Sequence, residues 1–423
     1  MRIRTASRRR TAAVATALVA ALALTACGSG KSKTSGAAGS GSGSGVLKMW
    51  VMGDAGNAFK TLTADWSKQT GIKVDVQAIP WSDIHTKLTT AVASGNGPDV
   101  VQVGYSLVPT FNQAGALADL SSYVAAHPAL QDGDYVAGAS PKTLNPDGKL
   151  TTVPWISDTR VLFYRSDLLT AAGISKPPAT WAELHDDAVT LAKRGSGKYG
   201  YYIPQWDLAL PAEFAWQAGG DVTDADGKIK LDTPQLRTAV DYYLSFYKDK
   251  AVPTAADFDQ VTGFVNGAAP MLISGPYLAK SIETQAPDLK GKWGTVPLPA
   301  GPANGTSLFA GSGLGIWKNS KNTESALKLL DFLATPATQV KWFQLDGDLP
   351  SVKTALNDPA LTSDPNVAVY VKQLDDAKLL PLNPAWDQVS QDLLDGLNKM
   401  ALQGADVTST LAKINEAAQG HQK

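Results

Sequence analysis

The stretch Val161–Leu184, VLFYRSDLLTAAGISKPPATWAEL, decides the architecture. Its first four residues are apolar and favour extended backbone, so Val161–Tyr164 reads as a strand. An acidic turn and the pair Pro177-Pro178 follow. Thr180-Trp181-Ala182-Glu183 is then a capping box, in which a hydroxyl and a carboxyl satisfy backbone N–H groups at the start of a helix. That helix is predicted to run through Leu191 and to end near Gly195. A strand leading through a short polar turn into a helix is the repeating unit of an α/β protein.

The same alternation extends in both directions. Val46–Val51 reads as a strand, and Asn57 is placed to cap a helix with Phe59, Leu62 and Trp66 on one face. Ile72–Ile79 sets Ile72, Val74, Val76 and Ala78 against polar neighbours, the period of a strand. Ser82 precedes a helix carrying Ile84, Leu88 and Val92 that stops at Gly95, and Pro98 leads into a strand over Val100–Val103. Thr323 opens a helix with Leu327, Leu330 and Leu333, halted by Pro336. Alternation of this kind predicts largely parallel sheets, and no internal repeat is visible.

The N-terminal end points to export. Arg2, Arg4, Arg8, Arg9 and Arg10 precede an apolar run from Ala12 to Leu24, which is 13 residues long. A bilayer-spanning helix needs about 20. A basic start, a short apolar run and small residues describe a secretory signal over residues 1–26. Leu24-Thr25-Ala26-Cys27 resembles a bacterial lipobox, which implies a lipidated Cys27 and attachment at the outer face of the membrane through acyl chains alone. The Arg8-Arg9-Arg10 cluster hints at twin-arginine export. Residues 28–45 are Gly/Ser-rich and read as a flexible tether.

Composition narrows the function. The chain has 423 residues and a single cysteine, so no internal disulfide holds it and stability must come from its core. The 397 residues after the signal suffice for two lobes. Without the signal's five arginines the formal charge moves from −1 to −6, which argues against nucleic acid as partner. His85, His127, His185 and His421 are scattered without metal-ligand spacing, and neither a P-loop nor a G-x-S-x-G elbow is present. No metal site or cofactor is expected.

Four segments, in order, resemble the carbohydrate-binding branch of the extracellular solute-binding proteins of ABC importers, the family of maltose-binding protein. They are KLTTAVASGNGPDVVQV (Lys87–Val103), the Val161–Leu184 stretch, FVNGAAPMLISGPYLAKSI (Phe264–Ile282), and ALKLLDFLATPATQVKWF (Ala326–Phe343) with Leu349-Pro350. The resemblance implies a two-lobed periplasmic-binding-protein-like (type II) α/β fold, with a hinge and a ligand cleft between the lobes. Crossings near Ile156, Phe309 and Asn357 would give a first lobe of 46–156 plus 310–357 and a second of 157–309 plus 358–423. It further implies a monomer that captures a di- or trisaccharide and delivers it to membrane permease subunits.

A sugar presents apolar C–H faces and a rim of hydroxyls, so its site needs flat rings and a few placed polar groups. By resemblance, Asp54 falls on a sugar-binding acid of the family, while Ala55 stands where the relative has a binding lysine, which counts against maltose itself. Asp158, Trp206, Asp207, Tyr277 and Trp386 fall on cleft positions in the same way, with Arg160 beside Asp158. From the residues alone, Trp81 sits at a helix start after Pro80, and Tyr105 and Ser106 follow a strand's carboxyl end, where open α/β sheets bind ligands. Ser312 lies between two glycines at a proposed crossing. Each has a plain structural alternative: helix caps for the acids, core packing for the rings, a salt bridge for Asp158 and Arg160, and hinge freedom for the glycines.

Other functions stay open at this level. A secreted glycoside hydrolase needs two carboxylates across a bond, and 39 acids always offer such pairs. Binding of a polyol, peptide or metal chelate, and docking onto a sensor in place of a transporter, are further alternatives.

Overall fold

Short apolar segments separated by amphipathic helices have one way to bury both faces, which is to pair into sheets covered by those helices. The computed structural model of the protein shows this arrangement and describes residues 45–422 except 54, 81, 82, 125, 128, 129, 131–134, 140–144 and 146–148. Among the described residues the strands are β1 (Val46–Met52), β2 (Lys73–Ile79), β3 (Val100–Gly104), β4 (Thr152–Thr159), β5 (Val161–Tyr164), β6 (Met271–Ser274), β7 (Gly294–Val296), β8 (Ser307–Ile316), β9 (Leu349–Pro350) and β10 (Ala377–Leu379). Seven form one sheet in the order β2-β1-β3-β8-β4-β9, with β10 beside β8, and three form a second in the order β6-β5-β7. The fold is two-lobed α/β.

The pairing departs from the largely parallel expectation. β1 pairs parallel with β2 and β3, and β10 with β8, but β3–β8, β4–β8, β4–β9 and the whole second sheet are antiparallel. The reason is the route of the chain. β8 returns from the second sheet to lie between β3 and β4, so its direction is set by a crossing and not by a local strand–helix–strand unit.

Each lobe has its own core. In the first, Leu47, Met49 and Val51 of β1 pack on Phe59, Leu62 and Trp66 of the helix Gly56–Thr70. Asn57 lies inside that helix and is not its cap, because the helix begins one residue earlier. A β-bulge between Pro154 and Ile156 turns the Trp155 indole onto Trp342 and Phe59, with ring centres 5.4 and 5.9 Å apart. In the second, Leu162, Met271 and Ile273 meet the helices Trp181–Ala192, Leu210–Gln217, Pro234–Lys248 and Trp386–Gln403. The predicted capping box holds. Thr180 Oγ1 accepts from Glu183 N at 3.2 Å, and Glu183 Oε2 accepts from Ala179 N at 2.8 Å.

The chain leaves the larger sheet for the smaller where β4 runs into β5 at Arg160 and returns between β7 and β8. β8, which carries Phe309, pairs from Ser307 onward. The expected second-lobe segment 358–423 also returns once to the larger sheet, as β10. Among the described residues no helix is long and apolar enough to cross a membrane. Cys27 and the tether lie outside the described residues.

Candidate ligand-binding cleft

A cleft of about 580 Å³ opens at the carboxyl ends of β1 and β3. The larger sheet contributes Gly53 and Ala55 after β1, Gln102 and Gly104 of β3, Tyr105 and Ser106 after it, and Gly311 and Ser312 of β8. Opposite stand Trp206 and Tyr277, with Arg160 at the turn between β4 and β5, and Leu379 of β10, Leu380 and Leu382 complete the lining.

On the first wall Gln102 is bonded at both ends of its amide. Its Oε1 accepts from Met52 N at 3.0 Å and its Nε2 donates to Ser312 Oγ at 2.7 Å, which ties β1, β3 and β8 together beneath the cleft. Tyr105 is 2% exposed, stacks on Phe309 and donates its hydroxyl to Ile156 O at 2.8 Å. Burial holds its phenol well above the ordinary range, so it is neutral. Gly311 makes this junction possible. Its φ is +132°, and a Cβ there would meet Ile156 O at 2.0 Å.

At the crossing, Asp158 Oδ2 lies 3.9 Å from Arg160 Nη1. The backbone of Gly275 presses on the pair, since a Cβ there would meet Arg160 Nη1 at 2.9 Å and Asp158 Oδ1 at 3.0 Å. Burial pushes the Asp158 carboxyl up against the opposing pull of Arg160. For Arg160, burial opposes the charge, but Asp158 and Asp207, helped by Tyr277 and Glu213, hold it above its ordinary value. Asp158 Oδ1 and Arg160 Nε are buried without a hydrogen-bond partner. Asp346 and Asp348 flank a Gly347 turn on the same wall as Trp342. Burial, then the neighbouring Asp346 carboxylate, keeps Asp348 well above the usual carboxylate range, while Trp342 Nε1 donates to its Oδ2 at 3.3 Å.

On the second wall Trp206 is 56% exposed, so much of its ring stays open to the cleft. Tyr277 begins the helix Tyr277–Gln285. Its oxygen accepts from Gln260 Nε2 at 2.9 Å and Ser274 Oγ at 3.1 Å, which leaves its own proton to donate.

Residues 50–340 match the family of bacterial extracellular solute-binding proteins. The chain belongs to that family. A binding protein of Brucella abortus (strain 2308) is 30% identical over 333 residues, which are 77% of this chain and 79% of its own length. The diacetylchitobiose binding protein DasA of Streptomyces coelicolor is 24% identical over 361 residues, 82% of each chain. Among solved structures, the sugar-binding protein MalE from the phytopathogen Xanthomonas citri superposes with a TM-score of 0.79 at 30% identity, covering 89% of this chain and 97% of that one.

Of the expected site residues of this solute-binding protein, Tyr105, Ser106, Asp158, Arg160, Trp206, Tyr277 and Ser312 come together on the cleft. Asp207 stands just behind it, 9% exposed, with Oδ1 accepting from Ala209 N at 2.8 Å. Trp386 is not brought to the cleft. It begins the helix Trp386–Gln403 and is 1% exposed in the second-lobe core with Val389, Leu393 and Leu397. The register of that helix turns its first ring inward, which a local motif cannot reveal. Asp54 and Trp81 lie outside the described residues, although Gly53 and Ala55 on either side of Asp54 line the cleft.

Sequence reasoning missed Gln102, Trp342, Asp346, Asp348 and Glu213. Two carried a visible signal: Gln102 is the one amide in Val100-Val101-Gln102-Val103, and Glu213 is the one acid in the apolar run Leu210–Trp216. A lone polar group at a position patterned for burial needs a partner, and partners gather at sites.

Proposed function

We propose that this protein captures a di- or trisaccharide in the cleft between its lobes and delivers it to the membrane subunits of an ABC importer, tethered to the outer face of the membrane through a lipid on Cys27. The observation that carries this reading is the pairing of an open indole at Trp206 with unpartnered polar atoms of Asp158 and Arg160 in one cleft. An indole face suits the C–H surface of a sugar ring, and a carboxylate and a guanidinium form charge-assisted bonds to its hydroxyls. The cleft volume falls within the roughly 300–1,000 Å³ of small-ligand sites. The diacetylchitobiose-binding relative and the sugar-binding MalE support a carbohydrate as the ligand.

In this mechanism Gln102–Ser312 and Tyr105 form a fixed floor, while Trp206 and Tyr277 approach from the other lobe. The ligand favours the closed form only by as much as it binds that form better. The family resemblance supports delivery to an importer and a monomeric state as parts of this proposal.

A thermal-shift series with diacetylchitobiose, maltose and maltotriose tests the proposal. A ligand at a hundred times its Kd stabilises by about 2.7 kcal/mol, so the melting point climbs with concentration. A flat response to every sugar, with a shift from a polyol or peptide, overturns the carbohydrate reading. Release of shorter sugars on incubation would make the protein a hydrolase instead. For the anchor, radiolabelled palmitate should mark the wild type and not Cys27→Ser.

A further inference from the structure

Behind the cleft, the two crossings meet at a single hydroxyl. Ser307 Oγ accepts from Arg160 N at 3.0 Å and from Thr159 Oγ1 at 3.0 Å, and contacts Arg160 O at 3.0 Å. The carboxylate of Glu213, from the helix Leu210–Gln217, reaches the same place. Its Oε1 accepts from Leu308 N at 2.7 Å and from Ser307 Oγ at 3.3 Å. Glu213 is 0% exposed, and its Oε2 is buried with no hydrogen-bond partner. A carboxylate half-satisfied in the core costs stability, so its retention calls for a reason.

We propose that Glu213 is a positioning residue for ligand capture: through Ser307 it locks the two crossing strands together, and its charge sets how far Arg160 reaches toward Asp158 and the ligand. The inference rests on the sugar-binding reading given above. Leu308 and Arg160, both held by this node, line the cleft, whereas Glu213 does not touch it.

The charged and titratable groups around Glu213 are Asp207 before its own helix, Arg160 from the β4–β5 crossing, and the buried Tyr201. Burial, then the Asp207 charge, lifts the Glu213 carboxyl to about 7, against the pull of Leu308 N, Arg160 and Ser307. Below that pH the carboxyl is neutral, and Asp158 is the nearer claimant on the guanidinium. Above it, a second buried anion competes for Arg160 from behind and draws it away from the cleft. Ligand affinity therefore falls as pH rises through 7.

The test compares wild type with Glu213→Gln at pH 6 and pH 8, using whichever of diacetylchitobiose and maltotriose the wild type binds. The Gln side-chain carbonyl can still accept from Leu308 N, so the variant is expected to match the wild type in affinity at pH 6. Wild-type affinity should weaken by about tenfold between the two pH values, within the limit of one linked proton, and the variant should change little. Equal pH dependence in both proteins overturns the proposal, since Asp158 and Asp348 would then account for it. A second measurement needs no ligand. The infrared difference between pH 6 and pH 8 should contain, in the wild type, a protonated-carboxyl component that is missing from the same difference for Glu213→Gln. Absence of that component also overturns the proposal, whereas failure of every sugar to bind overturns only the reading of the cleft as a sugar site.

Discussion

Replacing Trp386 by alanine separates a core role from a binding role, because the two make opposite predictions. The indole is 1% exposed and packs with Val389, Leu393 and Leu397. Deleting a fully buried Trp typically costs about 3–5 kcal/mol, from lost transfer energy plus the cavity left behind. If the second lobe unfolds as a unit of about 200 residues, where 1 kcal/mol corresponds to roughly 2–4 °C, the melting point should drop by roughly 6–20 °C. Affinity per folded molecule should stay within about twofold of wild type, since no Trp386 atom lines the cleft. The assay is urea unfolding followed by sugar titration under conditions where the variant is folded. Trp206→Ala is the mirror case: with 56% of the residue exposed, stability should move by no more than about 0.5 kcal/mol. Its affinity should drop by about tenfold, or 1.4 kcal/mol, as expected for a ring that anchors the ligand. A Trp386→Ala protein with wild-type stability and no binding would refute the assignment of that ring to the core.

Glu213→Gln carries a stability signature of its own. The folded pKa of about 7 lies above the reference value of 4.5, so the native state keeps a proton that the unfolded chain releases. Stability from this group is present below pH 4.5 and is lost as pH rises to 7, by about 3 kcal/mol in total. Denaturant unfolding at pH 5 and pH 8 should therefore show the variant gaining on the wild type at the higher pH, and parallel losses would contradict it. Gly311→Ala should destabilise by about 2 kcal/mol or more, because the new Cβ needs a strained φ of +132° and overlaps Ile156 O. A melting point equal to wild type would mean that β8 shifts without cost. Thr180→Ala removes the cap that accepts from Glu183 N and should cost about 1 kcal/mol by the same unfolding assay, with affinity unchanged.

Much of the fold was legible because it is written locally. The strands over residues 46–52, 73–79 and 100–104, and the helices opened at Thr180 and Thr323, follow from period and caps alone. The sheet order was not legible. It depends on contacts such as Thr159 with Ser307, 148 residues apart, which no window of sequence encodes. The cleft shows the same division. Asp158 and the crossing that holds Ser312 came from the family resemblance, whereas Tyr105 could be read from its place at a strand's carboxyl end. Trp386 could not, because a ring at the first turn of a helix looks the same whether the helix turns it inward or outward. Glu213 went unread for the opposite reason: an acid in an apolar helix is informative, but only the tertiary structure names its partner.

The unsatisfied buried groups gather where β4 turns into β5. Among the described residues, ten buried side-chain polar atoms lack a hydrogen-bond partner, and five of them belong to Thr152, Trp155, Ser157, Asp158 and Arg160. These lie on β4 and the turn into β5, and a sixth, Glu213 Oε2, belongs to the residue that braces the same turn through Ser307. Each such atom costs about 1–3 kcal/mol. A chain selected for stability alone would spread or remove that cost, as cores elsewhere in this protein do. Two of the five, on Asp158 and Arg160, belong to residues that line the cleft, where the ligand of the proposed function would supply the missing partners. On that reading, binding would stabilise the strand that runs from the larger sheet toward the smaller one and give closure a local source of free energy.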